Sequence, residues 1–455
     1  MTEPRASASM VGDGLSFGAR ATGFEAGTHS PREVLEGYLA RLEAVEPQLH
    51  AFVAYDLDAA RRSADAATAR WRAGRPLSPI DGMPVGVKDI IATADFPTRM
   101  GSPLFADAKP EDDAACVQAV RDGGGIVIGK TVTTEFATGA SGPTVNPHDP
   151  AHSPGGSSSG SAAAVAAGMI AAGFGTQTLG SILRPAGFCG IVGYKPSHGS
   201  LSLAGIHPVS ATLDHLGVLA VDVEDAWRLA RWVAERAPGT ADRGLGGPVD
   251  APLTSLPLGR VACLRLPWQD ELDAASQRAF EGCLASLRGR GVEVVEPDGD
   301  PALAGLVRAL APLADAALDL MCFEMRWPYA GYRARRPDAL SAKVNEQLER
   351  GLAMTTGTYA ELRRLRLELA ARVESLADAY DAFVLPAGSG PAPEGLSDTG
   401  SRTALTYWSY LGLPAIALPL MQVGHLPMGL QLAGFGGQDR RLVRQALGLM
   451  RAFER

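Results

Sequence analysis

The sequence predicts an α/β protein with a largely buried sheet, and three observations carry that prediction. Short apolar runs of strand character alternate with stretches of helical period along most of the chain. Of 455 residues, 46% are hydrophobic and 20% charged, the balance of a globular protein, at a length that suits two domains or one large enzyme fold. Sheet-like segments lie on both sides of the Gly-, Pro- and Asp-rich stretch 238–252, which therefore reads as a surface excursion and not a domain boundary.

The elements follow in order. Ser30-Pro31-Arg32-Glu33 is a capping box with proline at the first helical position. It opens a helix whose apolar stripe is Val34, Leu35, Tyr38, Leu39, Leu42 and Val45. A second helix is predicted over 58–73. Asp81-Gly82 then turns into a strand that carries Val85, Val87 and Ile90. Residues 112–122 read as a helix that Gly123 to Gly125 ends, and Ile126 to Ile128 as a short buried strand. The Ala-rich run 162–172 is helix-like, and Val192 and Tyr194 lie in another strand. Further strands are predicted at 261–264, 292–295, 383–385 and 416–418, with helices at 271–287, 358–376 and 440–450.

Composition excludes several functions. A net charge of −8 with no basic run interleaved with aromatics leaves no nucleic-acid footprint. The start of the chain lacks the apolar core of a secretory signal, and the uncharged stretch near 162–175 is too weakly apolar for a membrane span. Five scattered cysteines without a CxxC pair fit a reducing cytoplasm and no structural zinc.

Three formal motifs lack their structural context. GGIVIGKT at 124–131 satisfies the phosphate-loop spacing, but Ile126, Val127 and Ile128 occupy the cradle and favour a strand. Gly156-x-Ser158-x-Gly160 matches a nucleophile elbow, yet NPHDPAHSP precedes it where a buried strand is needed. His148 and His152 have helical metal-site spacing, but Pro147 and Pro150 place them in a loop.

The segment GGSSSGS at 155–161 is more informative. Gly/Ser runs are commonly flexible linkers. Here the run leads into the Ala-rich stretch and then GTQTLGSILRPAGFCGIVGYKPSHG, whose glycines sit among apolar residues and so mark close backbone approach or positive φ. What remains is serine chemistry without an evident histidine. His198, His207, His215 and His425 lie downstream, but surface or packing roles suit each of them better. A serine hydroxyl needs a base, which a desolvated lysine or a second hydroxyl can supply. Among five lysines, Lys88 stands out because it interrupts the apolar strand PVGVKDI. Burial would favour its neutral form, although a lysine there could also snorkel or pair with Asp89.

These residues resemble the amidase signature family. The likeness is carried by DGMPVGVKDI (81–90), GKTVTTEFA (129–137), NPHDPAHSPGGSSSGSAAAVAAG (146–168), the 175–199 segment, LGLPAIALPL (411–420) and LPMGLQLAG (426–434). It implies the amidase signature fold, one large domain with a central mixed sheet covered by helices on both faces. Its parts would be an N-terminal helical segment at about 30–75, a signature core at about 80–235, a variable region at about 237–380 and the rest of the core at about 381–455. It also implies a Ser–cis-Ser–Lys triad. The lysine falls on Lys88, the bridging serine on Ser157 after a cis peptide from Gly156, and the nucleophile on Ser181, with Ser158 in support. Backbone N–H groups of Thr178, Leu179 and Gly180 would hold the oxyanion. The resemblance further implies an acyl-enzyme that water hydrolyses, with neither metal nor organic cofactor needed.

The chain departs from the family pattern GTDTGGSIR. Gln177 stands for Asp, Leu179 for Gly and Leu183 for Arg, with Arg184 one position later. Asp and Arg disappear together, which suggests a charge pair exchanged for a neutral one. Leu179 would narrow the acyl pocket or forbid a conformation that glycine allows. The expected activity is cytoplasmic hydrolysis of a small-molecule amide; the alternative is an amidotransferase A-type subunit that delivers ammonia to a partner. The resemblance also admits a homodimer. Phe136, the 321–332 region, Tyr407 and Trp408 are candidate pocket walls; Trp327, Tyr329 and Arg333 could bind a substrate carboxylate or ring, although aromatic packing suits most of them better.

Overall fold

Local signals set the first elements. Ser30 Oγ accepts from Glu33 N, and Glu33 returns a bond to Ser30 N, so the capping box forms and the helix Pro31–Leu49 starts where predicted. Its six-residue apolar stripe is buried throughout. The computed structural model describes residues 9–240 and 244–454. Positions 1–8 of the leading segment and 241–243 of the 238–252 stretch lie outside the described residues.

Among the described residues, eleven strands form one mixed sheet. They are β1 (Phe52–Tyr55), β2 (Pro84–Lys88), β3 (Ile126–Thr131), β4 (Ala172–Gln177), β5 (Val192–Lys195), β6 (His215–Ala220), β7 (Arg260–Cys263), β8 (Glu293–Val295), β9 (Ala382–Pro386), β10 (Ala415–Val423) and β11 (Leu426–Ala433). Their order is β1-β3-β2-β4-β6-β5-β10-β11-β9-β7-β8. β2 runs parallel to both β3 and β4, while β4, β6, β5, β10, β11 and β9 pair antiparallel in succession. Every residue of β2, β3, β4 and β6 is buried. Successive side chains point to opposite faces, so helices must cover both sides of the sheet.

Several predicted boundaries move. The Ala-rich helix occupies Ser159–Ala166, and residue 172 already belongs to β4. Gly168, at φ +70°, turns the chain between them. The predicted helix at 112–122 starts at Ala115, and the one at 271–287 is a short 3₁₀ turn, Pro267–Glu271, followed by Ala274–Gly289 capped by Asp273. β3 confirms that GGIVIGKT is a strand and not a phosphate cradle.

The Asp81-Gly82 turn is fixed by charge. Asp81 is fully buried and receives Nε and Nη2 of Arg70 at 2.8 and 2.6 Å, together with Leu77 N at 2.9 Å. This anchor launches β2, whose last residue, Lys88, lies at the carboxyl end of the parallel strands. No helix among the described residues is long and apolar enough to cross a membrane. All five cysteines are buried and unpaired.

Candidate active site

β2, β3 and β4 end side by side, and Thr134 and Thr178, just past β3 and β4, line the cavity of the site. In open α/β sheets the carboxyl ends of the strands are where loops gather reactive groups. Lys88 has no exposed surface. Its Nζ lies 2.7 Å from Ser157 Oγ and 2.8 Å from Thr176 Oγ1. Asp89 does not pair with it; that carboxylate meets Lys130 Nζ at 3.1 Å. Burial drives the Lys88 amine well below the usual lysine range. The negative charge of Asp214 opposes the shift and the positive charge of Arg184 adds to it. Its polar partners are two hydroxyls and, at 3.4 Å, the Thr176 carbonyl oxygen, with no carboxylate in contact to offset the cost of burying a charge.

The Gly/Ser run is ordered by close approach. The peptide between Gly156 and Ser157 is cis. Gly155 adopts φ +77°, and a Cβ at Gly160 would lie 2.2 Å from Ala51 O and 2.4 Å from Val132 N. The segment is therefore a rigid crossing against the end of β3 and not a linker. Ser158 ties it down. Its N–H donates to Ser181 O at 3.4 Å, and its Oγ accepts from Thr176 N at 3.3 Å.

Ser181 lies one turn past β4, partly exposed, at the mouth of a cavity of about 300 Å³. The cavity wall includes Ser157, Thr178, Leu179, Gly180 and Ser181, so five of the seven predicted residues meet there. Lys88 lies behind Ser157, and Ser158 is not part of the wall. Among the described residues, no hydrogen bond joins Ser181 Oγ to Ser157, and none satisfies the N–H groups of Thr178, Leu179 and Gly180. Those three donors belong to a turn that is clamped from behind. Thr178 Oγ1 donates to Asp214 at 2.7 Å, and Ser409 Oγ to Leu179 O at 3.3 Å.

Gln177 explains its own departure from the family pattern. Its Oε1 accepts from the N–H groups of Ile182 and Leu183 at 2.8 and 3.1 Å, at the start of the helix Leu183–Cys189. Its Nε2 donates to Ser409 Oγ at 2.9 Å. One neutral amide thus satisfies three buried groups. Gln177→Ala is expected to destabilise the fold by about 2–4 kcal/mol, because those groups stay buried without partners. Denaturant midpoints of the two proteins check this. Leu179 lines the cavity with negative φ, so the turn does not need a left-handed residue there.

Arg184 is buried and faces the same space. Its Nε and Nη2 donate to Gly156 O at 3.2 and 2.6 Å, and its Nη1 to Gly400 O at 2.6 Å. Burial, then the charge of Arg402, push the guanidinium down to about 9, with Asp398 opposing. Lys343, Asp398 and Arg402 also line the cavity, and sequence reasoning missed all three. Of the candidate pocket walls, only Met321 lines the cavity. Phe136 and Tyr329 pack in an aromatic cluster, Tyr407 and Trp408 are core residues, and Trp327 is 80% exposed. Arg333 pairs with Glu349. None of His198, His207, His215 and His425 lines the cavity. His148 and His152 lie in a loop, and the described residues contain no group of three or more metal-ligating side chains.

With this geometry in place, known proteins give it a setting. A family model described as Amidase matches residues 33–443. The A-type subunit of glutamyl-tRNA(Gln) amidotransferase from Anaeromyxobacter sp. (strain K) is 34% identical, over 96% of each chain. A crystal structure of an amidase superposes with TM-score 0.82 at 30% identity, covering 96% of this chain and 99% of that one. The native peptide amidase of Stenotrophomonas maltophilia gives 0.78 at 27%, covering 97% of both.

Proposed function

The chain belongs to the amidase signature family, and from that premise we propose that Ser181 cleaves a carboxamide C–N bond with Ser157 and Lys88 as its proton relay. The observation that carries this reading is the fully buried Lys88 amine at 2.7 Å from Ser157 Oγ, its pKa driven well down by burial, behind a cavity that Ser181 also lines. Lys88 takes a proton from Ser157, Ser157 takes one from Ser181, and Ser181 Oγ attacks the amide carbonyl. The unsatisfied N–H groups of Thr178, Leu179 and Gly180 are fixed before the oxyanion forms, so stabilising it needs no reorganisation. The relay then returns a proton to the leaving nitrogen, and water hydrolyses the acyl-enzyme.

Two settings share this chemistry. In the first, the chain is a free-standing amidohydrolase. In the second it is an amidotransferase subunit whose ammonia passes to a partner, a reading favoured by the name of the relative that matches 96% of the chain. Purified chain, assayed alone for ammonia with L-glutamine and with a panel of small carboxamides, separates them. Turnover of small amides by the lone chain is the expected result. Turnover of glutamine alone, or only beside a partner subunit, establishes the second setting. Ammonia from none of these amides, by the chain alone or beside a partner subunit, overturns the shared chemistry.

A further inference from the structure

The cavity beside Ser181 carries more positive charge than a neutral amide requires. Arg184, Lys343 and Arg402 face one acid, Asp398, in its wall. Arg184 spends three donors on backbone carbonyls. Asp398 Oδ1 accepts from Gly400 N at 2.9 Å, so that carboxylate serves its own turn. Lys343 and Arg402, by contrast, make no ion pair and no side-chain hydrogen bond to any described residue, although both border the cavity. The helix Thr403–Leu411 begins directly after Arg402, and Ser401, Arg402 and Thr403 all line the cavity, which brings the positive end of that helix to the same wall. Three like charges gathered beside a single carboxylate are unfavourable in the empty site, and an anion that enters relieves their repulsion.

We infer that the cavity selects a carboxamide whose acyl part carries a carboxylate, such as the monoamide of a short dicarboxylic acid, with Arg402 and Lys343 binding that carboxylate. This rests on the amide-cleaving reading of Ser181 and supplies its substrate class. The size agrees. About 300 Å³ is near ten times the ~30 Å³ that a water molecule occupies in the liquid, enough for an acyl chain of a few carbons. Guanidinium suits the role because its planar donors match a carboxylate in two parallel hydrogen bonds. Arg184, in the same wall, would add its charge while its donors stay on Gly156 O and Gly400 O.

The test compares succinamate with levulinamide, which has a neutral acetyl group where succinamate has its carboxylate. The wild-type protein is expected to prefer succinamate in kcat/KM by roughly 30-fold, the size of one or two charge-assisted hydrogen bonds. Arg402→Gln should lower that preference roughly tenfold or more, mainly through KM for succinamate, and Lys343→Gln, at an exposed position, by a smaller factor in the same direction. Succinate binding to the Ser181→Ala protein, followed by calorimetry, gives a readout that does not depend on turnover. It is expected to weaken as salt rises and to disappear when Arg402→Gln is added. Equal turnover of the two amides, a preference that survives both substitutions, or no succinate binding overturns the inference. Succinate binding without turnover of either amide would instead sink the amide-cleaving reading and leave the charge assignment standing.

Discussion

Ser181→Ala is expected to lower amide turnover by roughly 10⁴-fold or more while leaving the thermal midpoint nearly unchanged. The two halves of that expectation come from different observations. Ser181 Oγ makes no hydrogen bond to any described residue, and the side chain is partly exposed, so its removal leaves no unsatisfied partner and no sizeable cavity. The backbone that the turn depends on is held by Gln177, Ser409 and Asp214, which the substitution does not touch. Turnover depends on that one oxygen as the atom that becomes acylated. Residual activity should reflect only binding and the N–H groups of 178–180 acting on water. Ammonia release under single-turnover conditions, with melting curves as the control, checks both halves. Activity within tenfold of wild type would remove Ser181 from the chemistry.

The site was legible where one residue contradicted its surroundings. Lys88 is a charge inside an apolar strand, and GGSSSGS is a flexible composition inside apolar sequence. Both contradictions point to positions where function overrides local preference. Thr176, the second partner of Lys88, gave no such signal, because a threonine in a strand is ordinary. Arg402 and Lys343 were hidden for another reason. Each is an unremarkable surface-type residue in its own segment, and only the fold carries them to the cavity that β2 and β4 build. The helix period of Ala162 and its neighbours misled at 172, and β4 escaped notice because AGFGTQ holds two glycines. They are tolerated there because a Cβ at Gly173 would press 3.1 Å from Ser161 Cβ. Close packing replaced propensity as the deciding factor.

The same conflict between local preference and function makes Lys88 the residue whose loss should be most visible, in two opposite directions. Lys88→Met is expected to reduce kcat by roughly 10²–10⁴-fold, the range for a removed general base. The wild-type kcat/KM should rise with pH through the depressed pKa of the amine, placing its acid limb well below the usual lysine range. Stability should move the other way. In the window between that depressed pKa and about 10.4, the unfolded chain holds a proton that the folded chain lacks, so wild-type stability rises with pH there. Each pKa unit of depression corresponds to about 1.4 kcal/mol lost from the fold on the acid side of the window. Methionine carries no such cost, although Ser157 Oγ and Thr176 Oγ1 each lose a partner, about 1 kcal/mol apiece and independent of pH. The stability of Lys88→Met minus that of wild type should therefore be largest at low pH and shrink as pH rises. Denaturant titrations of both proteins from pH 6 to 9 measure that difference. A difference that stays flat across the range would mean that the amine is not held neutral, and the relay through Ser157 would lose its base.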